Sequence, residues 1–155
     1  MSVERRLAEL GIELPPAPTP LASYIPVRVV GRLAFVSGTV AMEAGRPLVA
    51  GRVGDEVTME RAQEAARRCA IQSLAILREE LGSLDRLTRI VQLTVYVASA
   101  PGFNEQPAVA NGASDLLVEI LGEDGRHSRA AVGVAELPLG APVEVAVIAE
   151  VAGPG

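Results

Sequence analysis

No lysine occurs anywhere in the 155 residues; all 14 basic residues are arginine. A lysine Schiff base or lysine general base is therefore excluded. Aromatics make up 3% of the chain and tryptophan is absent. That removes base stacking on an aromatic platform as a binding mode and leaves Val, Leu, Ile and Ala to build the core. The formal net charge is −5, which argues against a nucleic-acid footprint made of phosphate contacts. The single cysteine, Cys69, forbids an internal disulfide, and the single histidine, His127, forbids an ordinary zinc site. No apolar run approaches the ~18 residues of a membrane helix, and the opening M-S-V-E-R-R-L has no apolar signal core. These absences predict a soluble, cytoplasmic protein with no membrane partner.

What is present suits one domain with a real core: 49% of the residues are apolar. Residues 1–21 read as an extension. Ser2 to Leu10 predicts a short capped helix with Val3, Leu7 and Leu10 on one stripe. L-P-P-A-P-T-P then predicts an extended arm that packs on the domain or on a neighbour. Residues 22–152 read as a single domain. Val27–Val30 and Leu33–Val36 predict a hairpin joined by Gly31-Arg32, followed by a strand over Thr39–Met42. Thr58 caps a long helix to Leu81, whose stripe is Ala62, Ala65, Ala66, Cys69, Ser73 and Leu77. A buried, inert thiol follows for Cys69, whereas Arg67-Arg68 and Glu79-Glu80 read as solvated charges. Arg89–Val97 is a nearly all-apolar strand, Gln106–Leu121 a second long helix, and a closing pair of strands ends the chain. The order predicts an α+β fold, a mixed sheet of about six strands with two helices on one face. In Val143–Val151 the valines share one face; Glu144, Ala146, Ile148 and Glu150 share the other. That second face is half apolar and predicts a symmetric homo-oligomer.

Charges stand in the closing strands. Arg129 opens the first and Glu144 sits inside the second, on either side of Leu137-Pro138-Leu139-Gly140. A charge in a strand needs a partner or a pocket. The fork of Arg129 suits a carboxylate; a surface salt bridge is the alternative. Glu144 can orient a water or move a proton, or else pair with an arginine. Tyr24 is a lid over a small ligand or a surface tyrosine, and Asn111 a ligand donor or a helix-surface amide. His127 lies in a loop with no evident partner for a triad.

The stretch R-A-A-V-G-V-A-E-L-P-L-G-A-P-V-E-V-A-V-I-A resembles the C-terminal signature of the Rid family, the reactive intermediate (imine) deaminases, also called the YjgF or L-PSP endoribonuclease family. The resemblance extends through F-V-S-G, E-A-A-R-R-C-A, V-Q-L-T-V-Y-V and F-N-E-Q-P-A-V-A-N-G-A, with residues 1–21 as a subgroup extension. It implies a chorismate-mutase-like fold and a homotrimer with a central barrel and intersubunit clefts. It further implies a 2-iminobutanoate/2-iminopropanoate deaminase-type hydrolase needing no metal or organic cofactor. By position, Arg129 matches the arginine that grips a substrate carboxylate and Glu144 the glutamate that orients water. Tyr24, Gly38, Asn111 and Ala131 match substrate-binding positions. Many active members carry Ser-Cys or a similar pair after the arginine; here it is Ala130-Ala131. A carboxylate-binding trimer without turnover is the second reading. An endoribonuclease is the third, disfavoured by the acidic, lysine-free composition and the lone histidine.

Overall fold

Two end signals and a stripe of small residues make the longest helix. In the computed structural model, which describes residues 2–20 and 22–153, α2 spans Met59–Leu81. The Thr58 hydroxyl accepts the Arg61 amide at its start, and Gly82 closes it at φ 79°, a conformation glycine adopts without steric cost. Five of its twelve buried residues are alanine, and the second long helix, α3 (Gln106–Leu121), approaches closely. A Cβ on Gly112 would lie 2.1 Å from the Gln63 carbonyl oxygen. Only glycine permits that approach.

These helices cover one face of a five-stranded sheet with the order β1 (Val27–Val30), β2 (Leu33–Val40), β7 (Val143–Val151), β5 (Leu87–Ala98), β6 (Ser128–Val134). All pairings are antiparallel except β5 with β6. The expected count of about six strands needs correction. Thr39 and Val40 continue β2 beyond a register shift between Val36 and Thr39, rather than opening a new strand. Two short strands, β3 (Met42–Glu43) and β4 (Arg46–Pro47), form a separate hairpin. The closing strands β6 and β7 are not partners, because β5 runs between them.

The alternation of β7 is as the sequence predicts. Its valines and Ala149 are buried, while Glu144, Ala146, Ile148 and Glu150 are half-buried on the opposite side. Phe35, in register with Ile148, and Val132, in register with Tyr96, lie on that same open side and are 42% and 44% exposed.

A third helix, α1 (Val3–Glu9), is tied down by Ser2, whose hydroxyl caps it and donates to Asp85. Val3 and Leu7 join the main core. The Glu4 carboxylate accepts from Arg78 Nε at 3.1 Å and from the Leu84 amide at 2.9 Å. Burial opposes the charge on Glu4, but the bonds from Arg78 and Leu84 outweigh it and hold the carboxyl below its usual range. No helix of the described residues is long and apolar enough to cross a membrane. Arg68 is less solvated than its sequence position suggests: it is half-buried and donates to the Met42 carbonyl.

Candidate functional site

The residues singled out in the sequence fall into two clusters. The first surrounds Glu144 in a cavity of about 400 Å³ that Tyr24, Gly38, Thr39, Gln72 and Leu139 also line. The irregularity in β2 builds it. Where β2 shifts register, the Ser37 amide donates to the Pro26 carbonyl at 2.8 Å and the Ser37 hydroxyl to the Ile25 carbonyl at 2.8 Å. Those bonds hold the segment carrying Tyr24 beside Gly38. The tyrosine is 54% exposed, placed at the cavity rim. Pro18, Thr19 and Pro20 of the N-terminal arm supply another wall.

Gly38 is at this position for room. A Cβ there would meet the Glu144 carboxyl carbon at 3.0 Å and its Oε1 at 3.2 Å. Among the described residues no donor bonds the Glu144 carboxylate, and no arginine pairs with it. Glu150 is the strand glutamate that pairs, with Arg32 and Arg89. Burial therefore acts on Glu144 without compensation and pushes its carboxyl above the usual carboxylate range. Beneath it, burial pushes the Cys69 thiol up to about 12, which makes it a packing residue, as expected, and not a nucleophile. Sequence reasoning missed Gln72. Its side chain is 5% exposed, accepts the Met42 amide at 2.8 Å and donates to the Val40 carbonyl at 2.8 Å. It thereby clamps the end of β2 to α2.

The second cluster surrounds Arg129. Its Nη1 donates to Asn111 Oδ1 at 2.8 Å and to Ser114 Oγ at 3.1 Å, and its Nη2 donates to the Pro107 carbonyl at 3.3 Å. Pro107, Asn111 and Ser114 follow one another at helical spacings of four and three, so α3 presents them as a single polar stripe. The surface salt bridge considered for Arg129 is absent: among the described residues no carboxylate lies within ion-pair distance of it. Its Nε–H and one Nη2–H remain uncommitted, the fork that a carboxylate fits. Ala131, two residues along β6, shares the face of Arg129 and is partly packed against the core. His127 has two partners that the sequence reading did not foresee, and they do not make a triad. Its Nε2 lies 2.9 Å from Ser114 Oγ and its Nδ1 2.6 Å from the Gly125 carbonyl oxygen. The missed signal was the serine, hidden among the apolar residues of α3.

The clusters lie on opposite faces of one sheet. Arg129 is in register with Leu93, and through it with Val147, on the helix-covered face. Glu144 is in register with Tyr96 on the open face. Arg129, Asn111 and Ala131 are thus brought together, as are Tyr24, Gly38 and Glu144, but one chain does not bring the groups to each other. Among the described residues no trio of His, Cys, Asp or Glu is arranged to hold a metal.

Comparison with known proteins adds the following. The family model described as YjgF/chorismate mutase-like, putative endoribonuclease, matches residues 4–151. Protein TCP17 of Trypanosoma cruzi is 44% identical over 96% of this chain and 93% of its own. A crystal structure of an Agrobacterium tumefaciens protein of unknown function superposes with a TM-score of 0.88 at 45% identity, covering 97% of this chain and 92% of that one. The 2-iminobutanoate/2-iminopropanoate deaminase of Dermatophagoides farinae is 28% identical over 86% of this chain and 90% of its own.

Proposed function

The chain belongs to the YjgF/chorismate mutase-like family, and on that premise we propose that it hydrolyses small 2-imino acids to 2-keto acids and ammonia in a cleft between subunits. The observation that carries this reading is the state of Arg129. In an acidic chain it is held by three neutral oxygens, has no carboxylate partner among the described residues and keeps its fork free. Such a group is complementary to a small carboxylate. The 28% identity to a 2-iminobutanoate/2-iminopropanoate deaminase supports the choice of substrate.

The chemistry needs two parts. Arg129 binds the carboxylate and fixes C2 of the imine, which is electrophilic without further activation. Glu144 holds a water against C2 and takes its proton as the C–O bond forms. It returns that proton to nitrogen, giving the carbinolamine. It then takes the hydroxyl proton as the C=O bond forms and passes it to the amino nitrogen, so that the C–N bond breaks and ammonia leaves. A carboxyl raised by burial is suited to both halves of that transfer. Positioning of this kind lowers barriers by several kcal/mol. No step calls for a metal or an organic cofactor.

Because the halves occupy opposite faces of one sheet, we place Glu144, Gly38 and Tyr24 of one subunit against Arg129, Asn111 and Ala131 of the next, in a homotrimer with a central barrel. The open sheet face with Phe35 and Val132, and the unpaired outer edge of β6, support such an assembly.

The test uses imines generated in place by an amino-acid oxidase, with 2-keto acid formation followed for wild type and Arg129→Ala. Loss of one charge-assisted bond, ~1.5–3 kcal/mol, predicts a fall in kcat/KM of about tenfold to a hundredfold. Absence of any acceleration over buffer, for every imine tried, overturns the reading. Ala130-Ala131 favours a second reading, a carboxylate-binding trimer without turnover; calorimetric binding of a 2-keto acid with no catalysis would select it.

A further inference from the structure

The strongest unassigned feature is the polar chain behind Arg129. We infer that His127 and Ser114 are positioning residues: they form a directional relay that locks the guanidinium of Arg129 with its fork outward. This rests on the carboxylate-gripping role of Arg129 proposed above.

The direction of each bond follows from chemistry. The Gly125 carbonyl oxygen can only accept, so the proton on the 2.6 Å contact belongs to His127 Nδ1. With the ring neutral, Nε2 is then an acceptor. Ser114 Oγ, 2.9 Å away, directs its one proton there. Its lone pairs are left for Arg129 Nη1 at 3.1 Å. Each group thus sets the orientation of the next, from backbone carbonyl to guanidinium.

Two further observations support a specific device. A helical serine ordinarily turns its hydroxyl back to the carbonyl four residues earlier. Ser73 in α2 does so, donating to the Cys69 carbonyl at 3.1 Å. Ser114, 9% exposed, is bonded to His127 and Arg129 and not to its own helix. The relay's anchor is also rigid. A Cβ on Gly125 would lie 2.3 Å from the Leu117 carbonyl oxygen, so the turn carrying the Gly125 carbonyl is pressed directly onto α3. Asn111 takes the other Nη1 proton at 2.8 Å. An arginine so held meets a carboxylate without first giving up rotamer freedom, which raises affinity.

The experiment has two arms on the untagged full chain. His127 is the only histidine, so a ¹⁵N-histidine spectrum reports it alone. Recorded where the ring carries one proton, the expected result is that proton on Nδ1, with an Nε2 signal that moves in Ser114→Ala. A ring protonated at Nε2 overturns the relay, whatever the protein binds. The second arm measures 2-oxobutanoate binding by calorimetry. Ser114→Ala should weaken it by about fivefold to tenfold through lost preorganisation. Ser114→Thr, which keeps the hydroxyl, should recover binding to within about twofold of wild type. If Arg129→Ala abolishes binding while Ser114→Ala does not weaken it, the relay fails and the carboxylate role of Arg129 stands. If Arg129→Ala binds as wild type does, the deaminase reading fails, and the spectrum alone decides the relay.

Discussion

The sharpest perturbation available is a single methyl group, Gly38→Ala. The glycine's backbone does not require φ above zero, so alanine is not strained there. Its consequence is steric. The new Cβ would sit 3.0 Å from Cδ, 3.2 Å from Cγ and 3.2 Å from Oε1 of Glu144, against an ordinary carbon–carbon contact of about 3.5–4.0 Å. The carboxylate must therefore move by ~0.5–1 Å. Overpacking in a closed core costs about 1–3 kcal/mol, but Glu144 is only half-buried and, among the described residues, no bond holds its carboxylate. It can swing aside, and the stability loss should stay below ~1 kcal/mol, a melting shift of no more than about 4 °C for a chain of this size. Catalysis has no such tolerance: a displacement of about 1 Å at a positioned group is worth up to about a hundredfold. The expected outcome is a fall in kcat of about tenfold to a hundredfold at nearly unchanged Tm. The assay is keto-acid release from oxidase-generated imines, paired with a thermal melt. Wild-type turnover in Gly38→Ala refutes the assignment of Glu144 as the water-orienting group. A loss of activity accompanied by a melting shift of 10 °C or so would show a structural defect instead.

Glu144→Gln should raise stability while removing turnover. The carboxyl is pushed up from its ordinary 4.5 by burial, so the folded chain holds a proton more readily than the unfolded one, and stability falls as pH rises through the window just above 4.5. Thermal melts against pH should show Glu144→Gln more stable than wild type at neutral pH, with the gain vanishing below that window; equal curves at all pH values would contradict the burial argument. Leu7→Ala tests whether the N-terminal segment is part of the core. Leu7 is 1% exposed, and emptying its site should cost about 2–5 kcal/mol in denaturant titration, whereas a dispensable appendage would show no change.

Local signals carried the helices and most strand positions. Thr58 and Gly82 bracket α2, and the predicted 106–121 helix is the one found. The Gly31-Arg32 hairpin and the facing of β7 follow from turn chemistry and a period of two. What escaped depends on partners far away in the chain. Thr39 looks like a strand start because nothing local shows the register shift that makes it the tail of β2. Ser2 and Glu4 look like ordinary first-turn residues until Asp85, Arg78 and Leu84 arrive beside them, some 80 positions later. The His127–Ser114 contact likewise joins a loop to a helix face. The polar pair Asn111 and Ser114, three positions apart on one side of α3, was the available hint.

The relation between Arg129 and Glu144 shows why a site is harder to read than a fold. The two stand equally far from the centre of the 136–137 segment, so a simple hairpin about that point would set them directly opposite each other on one face, as a salt-bridged pair. The intervening β5 changes this. It takes β6 in parallel and β7 in antiparallel register, placing Arg129 beside Leu93 and Glu144 beside Tyr96. Those positions differ by three, an odd number, and successive strand residues alternate sides. The two charges therefore leave the sheet in opposite directions and cannot neutralise each other within one chain. That separation keeps the arginine fork and the glutamate carboxylate both free. If the arginine of one copy meets the glutamate of another, mixing the weakened Arg129→Ala with Glu144→Gln under subunit exchange should restore activity above that of either variant alone. The restoration is statistical: in a randomly mixed trimer at equal input, a given cleft receives both intact residues about one time in four, since each of two subunits is intact at the required position with a chance of about one half. Recovery near a quarter of wild-type turnover supports a shared cleft. No recovery after demonstrated exchange places both residues' function within a single chain and refutes it.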